Sequence, residues 1–250
     1  MTMVEQNGPE QPAKKILSAR LQLCAQMVPQ GAKVVDVGCD HGYLSIHLLR
    51  TGIATQVVAA DLRPMPLDAA RRNAKRFGVA DQIRFVLGDG LKPVAEGEAD
   101  CVVCAGMGGD TIAGILAACP WVKSSSCTLV LQPQSSGNDL RRWLGENRYT
   151  IERELPVMDG GRLYTAMTAR YGGGTPVSPG HEYASQALLE GGGPLVGAYL
   201  RRMAASLKKT IGGLQKSQLE ECRAQLPFYD IALREIEEMR EAYDYGETDP

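Results

Sequence analysis

Carboxylates and glycines crowd into one short segment, Asp36-Val37-Gly38-Cys39-Asp40-His41-Gly42. Glycines in a tight turn let a ligand approach the backbone closely. Two carboxylates in the same turn suit a ligand carrying an ammonium or hydroxyls better than one carrying a pyrophosphate. The alternative is a tight turn that needs small residues and holds nothing. Asp61 stands 23 residues after Gly38. At that distance an acid accepts hydrogen bonds from ribose hydroxyls, or else caps a helix ahead of Pro64. Three more unusual turns follow: Gly88-Asp89-Gly90, Ala105-Gly106-Met107-Gly108-Gly109-Asp110 and Leu131-Gln132-Pro133-Gln134. An acid in the first suits an adenine amino group. Small residues in the second leave room for a ligand. The glutamine amides of the third can bond a nucleobase edge. A nucleoside cofactor with an ammonium and no phosphate satisfies the set, which is the chemistry of S-adenosylmethionine. The residues expected to hold it are Asp36, Gly38, Cys39, Asp61, Leu62, Asp89, Gly90, Ala105, Gly106 and Met107. A nicotinamide-dependent oxidoreductase would require a GxGxxG turn, which is lacking.

Each of these turns follows an apolar run with the composition of a buried strand. The runs are Lys33–Val37, Gln56–Ala60, Ile83–Leu87, Ala99–Ala105 and Thr128–Gln132. Helical patterns separate them: Tyr43–Arg50, Leu67–Phe77, Asp110–Cys119 and Asp139–Asn147, with another at Lys14–Met27 in front. Two further strands, Thr150–Pro156 and Leu163–Arg170, flank the hairpin signal Asp159-Gly160-Gly161. Alternating units predict a doubly wound, seven-stranded, mainly parallel sheet with helices on both faces. Right-handed crossovers then bring all the strand ends to one edge, where ligands bind. A terminal hairpin inserts an antiparallel strand, whereas a nicotinamide-binding sheet closes with a parallel one.

After a glycine- and proline-rich linker at Tyr171–Gly180 the pattern is helical only. Val196, Leu200, Met203, Leu207, Ile211 and Leu214 form an apolar stripe that continues through Leu219, Cys222 and Leu226 to Pro227. A second stripe, Ile231–Tyr243, predicts an antiparallel helical hairpin. The expected domains are therefore 12–171 and 181–245.

Hydrophobic residues at 44% and charged residues at 22% exclude a disordered chain. A net charge of −2 supplies no global field for nucleic acid, so RNA binding must rest on local patches. No apolar stretch reaches the roughly 20 residues needed to span a bilayer, and no secretory signal is visible. Seven scattered cysteines suit a reducing, cytoplasmic setting. Cys101 and Cys104 form a CxxC inside a strand, with sulfurs on opposite faces, so no metal site is expected.

In order, DVGCDHGYL, LGDGL, AGMGG, LQPQ followed by LRRWL, and GGRLY closely resemble the bacterial tRNA methyltransferases that make N1-methyladenosine at position 22. The resemblance covers about Leu17–Arg170 and extends into the helical C-terminus, where that family carries a coiled-coil-like domain. Cys39, Gly42 and Ser45 replace the family's usual serine, alanine and proline, Asp61 its glutamate, and Gln134 its asparagine. The resemblance implies a class I, Rossmann-like methyltransferase fold, S-adenosylmethionine as cofactor and tRNA as partner. The alternative substrates are another RNA position, a small molecule or a protein; the oligomeric state, monomer or weak dimer, is left open. Neutral adenine N1 carries a free lone pair, so no general base is obligatory and His41 is either a base or a structural group. Asp40 is expected to stabilise the cationic product, with His41, Gln132 and Gln134 orienting the base. Extraction of the base requires a grip on phosphates. Lys14, Lys15, Arg20, Arg71, Arg72, Arg201, Arg202, Lys208 and Lys209 are the residues expected to supply it; a solvated helix face is the alternative for each cluster.

Overall fold

The computed structural model describes residues 17–248, with side chains through Asp244. Lys14 and Lys15 lie outside the described residues. The elements run α1 (Ala19–Met27), β1 (Ala32–Val37), α2 (Tyr43–Arg50), β2 (Ala54–Asp61), α3 (Pro64–Arg76), β3 (Ile83–Leu87), β4 (Cys101–Gly108), α4 (Gly109–Ala117), β5 (Thr128–Ser135), α5 (Gly137–Glu146), β6 (Tyr149–Asp159) and β7 (Arg162–Tyr171). Helices follow: α6 (Pro179–Tyr183), α7 (Gln186–Gly191), α8 (Val196–Lys216), α9 (Glu220–Arg223) and α10 (Leu226–Thr248).

The seven strands form one sheet in the order β3-β2-β1-β4-β5-β7-β6. The first five pair in parallel, and β7 inserts antiparallel between β5 and β6. The hairpin closes with Asp159 opposite Arg162. Its two turn residues, Gly160 and Gly161, both have positive φ (56° and 74°). That backbone matches the twist of the flanking strands, and glycine adopts it without penalty.

Strand neighbours fall on opposite sides of the sheet, and both sides are covered. Val34 packs in one apolar cluster with Ile46, Leu48 and Cys101. Val35 packs in the other with Ile112, Leu129 and Cys104. Burial on both faces explains why these strands read as continuous apolar runs. It also separates the two cysteines of the CxxC, and desolvation pushes the Cys104 thiol up to about 12.

The C-terminal helices enclose a third cluster that includes Ala184, Leu188, Val196, Leu200, Leu207 and Ile236. The pairs Arg201–Asp244 and Lys208–Glu237 show that α8 and α10 run antiparallel. The hairpin differs from expectation at its bend. Helix α8 stops at Lys216, although the apolar stripe continues to Leu226, because Ser217 turns extended and its hydroxyl accepts from the Leu219 N–H at 3.2 Å. Pro227 does not interrupt the first helix. It occupies the first turn of α10, where its missing N–H has no intrahelical partner to lose.

Candidate active site

The parallel crossovers bring the ends of β1, β2 and β4 and the turn after β3 to one edge, around a cavity of about 550 Å³. That volume suits a small-molecule ligand. Asp36 is the penultimate residue of β1 and is 3% exposed. Its carboxylate accepts from the Ser45 hydroxyl at 2.6 Å. Burial pushes it up to about 6, and the negative Asp61 nearby adds to the shift. Among the described residues no cationic side chain pairs with it, yet it faces the cavity. A buried carboxylate without a counter-ion is matched by a cationic ligand.

The turn after β1 is left-handed at three positions: Gly38, Asp40 and Gly42 have φ of 68°, 49° and 72°. A Cβ on Gly38 would collide with Met107 Cε, so the β1 and β4 turns close on each other there. Gly42 stands where the family often has alanine. A Cβ there would lie 2.9 Å from Ala70 Cβ, so in this chain glycine lets α2 start close against α3. Asp40 is held in its unusual conformation by its N–H, which donates to Asp61 Oδ2 at 3.2 Å. The other Asp61 oxygen accepts from the Arg63 N–H at 2.9 Å. Both oxygens of this buried carboxylate are thus bound, which fixes it at the cavity wall. Beside it Leu62 is 67% exposed and gives the wall an apolar face. Asp89 pairs with Lys92 at 2.5 Å. The side chains of Asp40 and His41 are both more than half exposed at the cavity mouth, 3.7 Å apart.

All ten residues expected to hold the cofactor border this one cavity, as do Asp40, His41 and Gln134. Gln132 does not. It is fully buried, and its amide is spent on the protein. Its oxygen accepts from the Gly106 N–H at 3.1 Å and from Arg20 at 3.3 Å, and its nitrogen donates to the Pro133 carbonyl at 3.0 Å. Gln132 therefore shapes the β4 turn and leaves Gln134 as the amide at the cavity. Strand β4 runs on to Gly108 rather than ending at Ala105, with register shifts on either side of Met107 that turn this segment into the cavity wall.

Arg20 also departs from expectation. It lines the cavity with a side chain only 24% exposed, bound to Asp159 at 3.1 Å, and does not project as a phosphate grip. The α8 cations are likewise not free of acids, because α10 supplies Glu237 to Lys208 at 2.7 Å and Asp244 to Arg201 at 3.6 Å. Arg202 donates to the Leu163 carbonyl. Arg71 lies over the Phe85 ring at 4.8 Å, while Arg72 and Lys209 are exposed. Sequence reasoning missed Leu21, Tyr43, Thr111 and Ile115 as cavity residues. Tyr43 was visible within DHGYL, and Thr111 and Ile115 lie one turn apart on α4, which starts at the last glycine of AGMGG. Among the described residues no cluster of three or more His, Cys, Asp or Glu is placed to hold a metal ion. No helix among them is long and apolar enough to cross a membrane.

The strand order, the inserted antiparallel strand and an acid-lined edge cavity define a class I methyltransferase, and residues 17–167 match the methyltransferase-domain family. The tRNA (adenine(22)-N(1))-methyltransferase of Bacillus subtilis strain 168 is 33% identical over 204 residues, 81% of this chain and 83% of that protein. The crystal structure of the B. subtilis m1A22 tRNA methyltransferase superposes with a TM-score of 0.78 at 26% identity, covering 90% of this chain and 98% of that one. Streptococcus pneumoniae Sp1610 in complex with S-adenosyl-L-methionine superposes with a TM-score of 0.74 at 27% identity, covering 88% and 98%. The chain belongs to the tRNA (adenine-22-N1)-methyltransferase family.

Proposed function

We propose that this protein methylates N1 of adenine 22 in tRNA, in the cytoplasm, with S-adenosylmethionine as donor. The observation that carries the reading is the buried Asp36, which pairs with no cationic side chain among the described residues, in a cavity that also holds Asp61, Leu62 and Asp89. These residues fit the cofactor: Asp36 faces its ammonium, Asp61 its ribose hydroxyls, and Leu62 and Asp89 its adenine. Bound there, S-adenosylmethionine supplies an electrophilic sulfonium methyl.

Neutral adenine needs no deprotonation at N1, so the chain's main task is to orient the base in line with that methyl. Gln134 and His41, at the cavity mouth, orient it. Asp40 presents a carboxylate to the positive charge that develops on the ring. Replacing Asp40 by asparagine isolates that charge, because asparagine tolerates the same left-handed backbone. The expected result is unchanged cofactor affinity and a single-turnover rate reduced at least tenfold (~1.4 kcal/mol). A rate equal to wild type would sink the role.

The domain division proposed is 12–171 for the catalytic part and 181–245 for the helical part, with tRNA phosphates held by exposed cations of both. Ion pairs as exposed as Lys208–Glu237 are worth little, so phosphates can compete for them. Replacing Arg201, Arg202, Lys208 and Lys209 by glutamine should weaken tRNA binding. It should also reduce the slope of log affinity against log salt by about 0.7–0.9 for each phosphate no longer neutralised. Cofactor affinity should not change. An unaltered salt slope removes α8 from the RNA interface. The reading as a whole is tested by methylating unmodified tRNA with labelled cofactor and mapping the modified nucleotide; label elsewhere than N1 of adenine 22 overturns it.

A further inference from the structure

We infer that Arg20 is a positioning residue for the Gln134 amide, and that the amide so fixed donates a hydrogen bond to a purine ring nitrogen other than N1. The inference rests on the adenine-methylating reading above and adds to it how the base is held.

The Arg20 guanidinium is fixed on several sides. Its Nε binds Asp159 Oδ2 at 3.1 Å, and the other Asp159 oxygen accepts from the Ala19 N–H at 3.2 Å. The tip of the β6–β7 hairpin thus holds both the first turn of α1 and its arginine. A terminal nitrogen donates to Gln132 Oε1 at 3.3 Å, and the ring of Tyr164 lies 5.7 Å from the guanidinium carbon. Both terminal nitrogens also meet the end of the Gln134 side chain. Guanidinium has donors and no acceptor. Gln134 can therefore face it only with its carbonyl oxygen, which then accepts from both terminal nitrogens, one of them at 3.3 Å. Arg20 thereby sets the direction of an exposed side chain.

The consequence is chemical. With its oxygen held by Arg20, Gln134 has only its NH2 group to offer, on a side chain that lines the cavity. A donor aimed at N1 would occupy the lone pair that must attack the methyl. The donor therefore serves one of the other acceptors of the ring, N7 or N3. Asp159 neutralises Arg20, so the base that becomes cationic does not face an uncompensated positive charge.

The test is a double-mutant cycle on single-turnover methylation of adenine 22 in an unmodified tRNA transcript at saturating cofactor. Arg20→Lys keeps a cation for Asp159, so α1 stays seated, but loses the fork. Gln134 is exposed and contributes nothing to the core. Each single variant is expected to lose about tenfold or more in rate, with cofactor affinity within about twofold of wild type. The double variant should be no slower than the slower single one. Gln134→Glu should lose as much as Gln134→Ala, since a carboxylate can still bind Arg20 but has no N–H to donate. Either 7-deazaadenosine or 3-deazaadenosine at position 22 should reproduce the loss with wild type and cause no further loss with Gln134→Ala. Multiplying losses, a wild-type rate for Gln134→Glu, or wild-type rates on both deaza substrates would overturn the proposal while leaving the substrate assignment intact. Failure of the wild-type protein to methylate position 22 would overturn the assignment itself, and the proposal with it.

Discussion

Arg141→Ala is expected to lower stability by about 3–5 kcal/mol, a fall in Tm of roughly 6–20 °C for a chain of this size. Arg141 of α5 is 2% exposed and Glu154 of β6 is fully buried. Nε donates to Glu154 Oε2 at 3.0 Å, and a second bond joins the other carboxylate oxygen. The remaining donors reach the Glu182 carbonyl at 3.1 Å, the Thr165 hydroxyl at 3.2 Å and the Tyr199 hydroxyl at 3.0 Å. Ser185 donates to the same Glu154 at 2.6 Å. One guanidinium thus ties α5, β6 and β7 to α6 and α8. Burial alone would push the Glu154 carboxyl up; the charge and hydrogen bonds of Arg141 outweigh it and hold the carboxyl below its usual range. A carboxyl held low favours folding above its unfolded value and loses that contribution as pH falls through the folded value. Removing Arg141 leaves Glu154 buried and uncompensated, which is why the loss is large. Replacing both partners with apolar residues of similar volume, Arg141→Met with Glu154→Leu, should recover much of it. Thermal unfolding followed by circular dichroism checks the pair. A single-variant loss below about 1 kcal/mol would show that the network contributes little.

Asp36→Asn should move stability and function in opposite directions. The buried Asp36 carboxyl is raised from 3.8 to about 6, chiefly by desolvation. A carboxyl raised in the folded state favours folding below its unfolded value, and that contribution is lost as pH rises through about 6. At neutral pH the ionised group therefore opposes folding by up to about 3 kcal/mol, at 1.36 kcal/mol per unit. Asparagine keeps an acceptor for Ser45 and removes the charge, so the cofactor-free variant should melt several degrees higher. The same change removes the counter-ion for the cofactor's ammonium, and affinity at pH 7.5 should fall at least tenfold. Wild-type affinity should decline below pH 6 as Asp36 takes up a proton, and the variant's should be flat there. Calorimetric titrations at pH 5.5 and 7.5 separate the two, and an equal decline in both proteins would remove Asp36 from the ammonium site.

The sequence by itself determined the order and type of the elements and most of the cavity. Buried parallel strands must be short apolar runs, and their turns must be small or polar; both signals are local. Once crossovers are right-handed, five separate turns must converge on one edge, so the chain order alone brings Asp36, Asp61, Asp89 and Met107 together. The hairpin turn was legible because only residues such as Gly160 and Gly161 tolerate its backbone. What the tertiary structure alone decided were pairings between residues distant in the chain. Arg20 reads as a surface cation until α1 packs against β6 and β7 and Asp159, 139 residues on, claims it. Gln132 and Gln134 read as equivalent amides until packing buries the first and leaves the second at the cavity. The α8 cations read as a phosphate grip or a solvated face until α10 folds back with Glu237 and Asp244. Helical periodicity continues across Ser217, so the bend was hidden in a stripe that does not break. Local pattern records which face of an element is apolar. It does not record which distant side chain completes a charge or an amide, and that pairing is what turns the cavity into an oriented site.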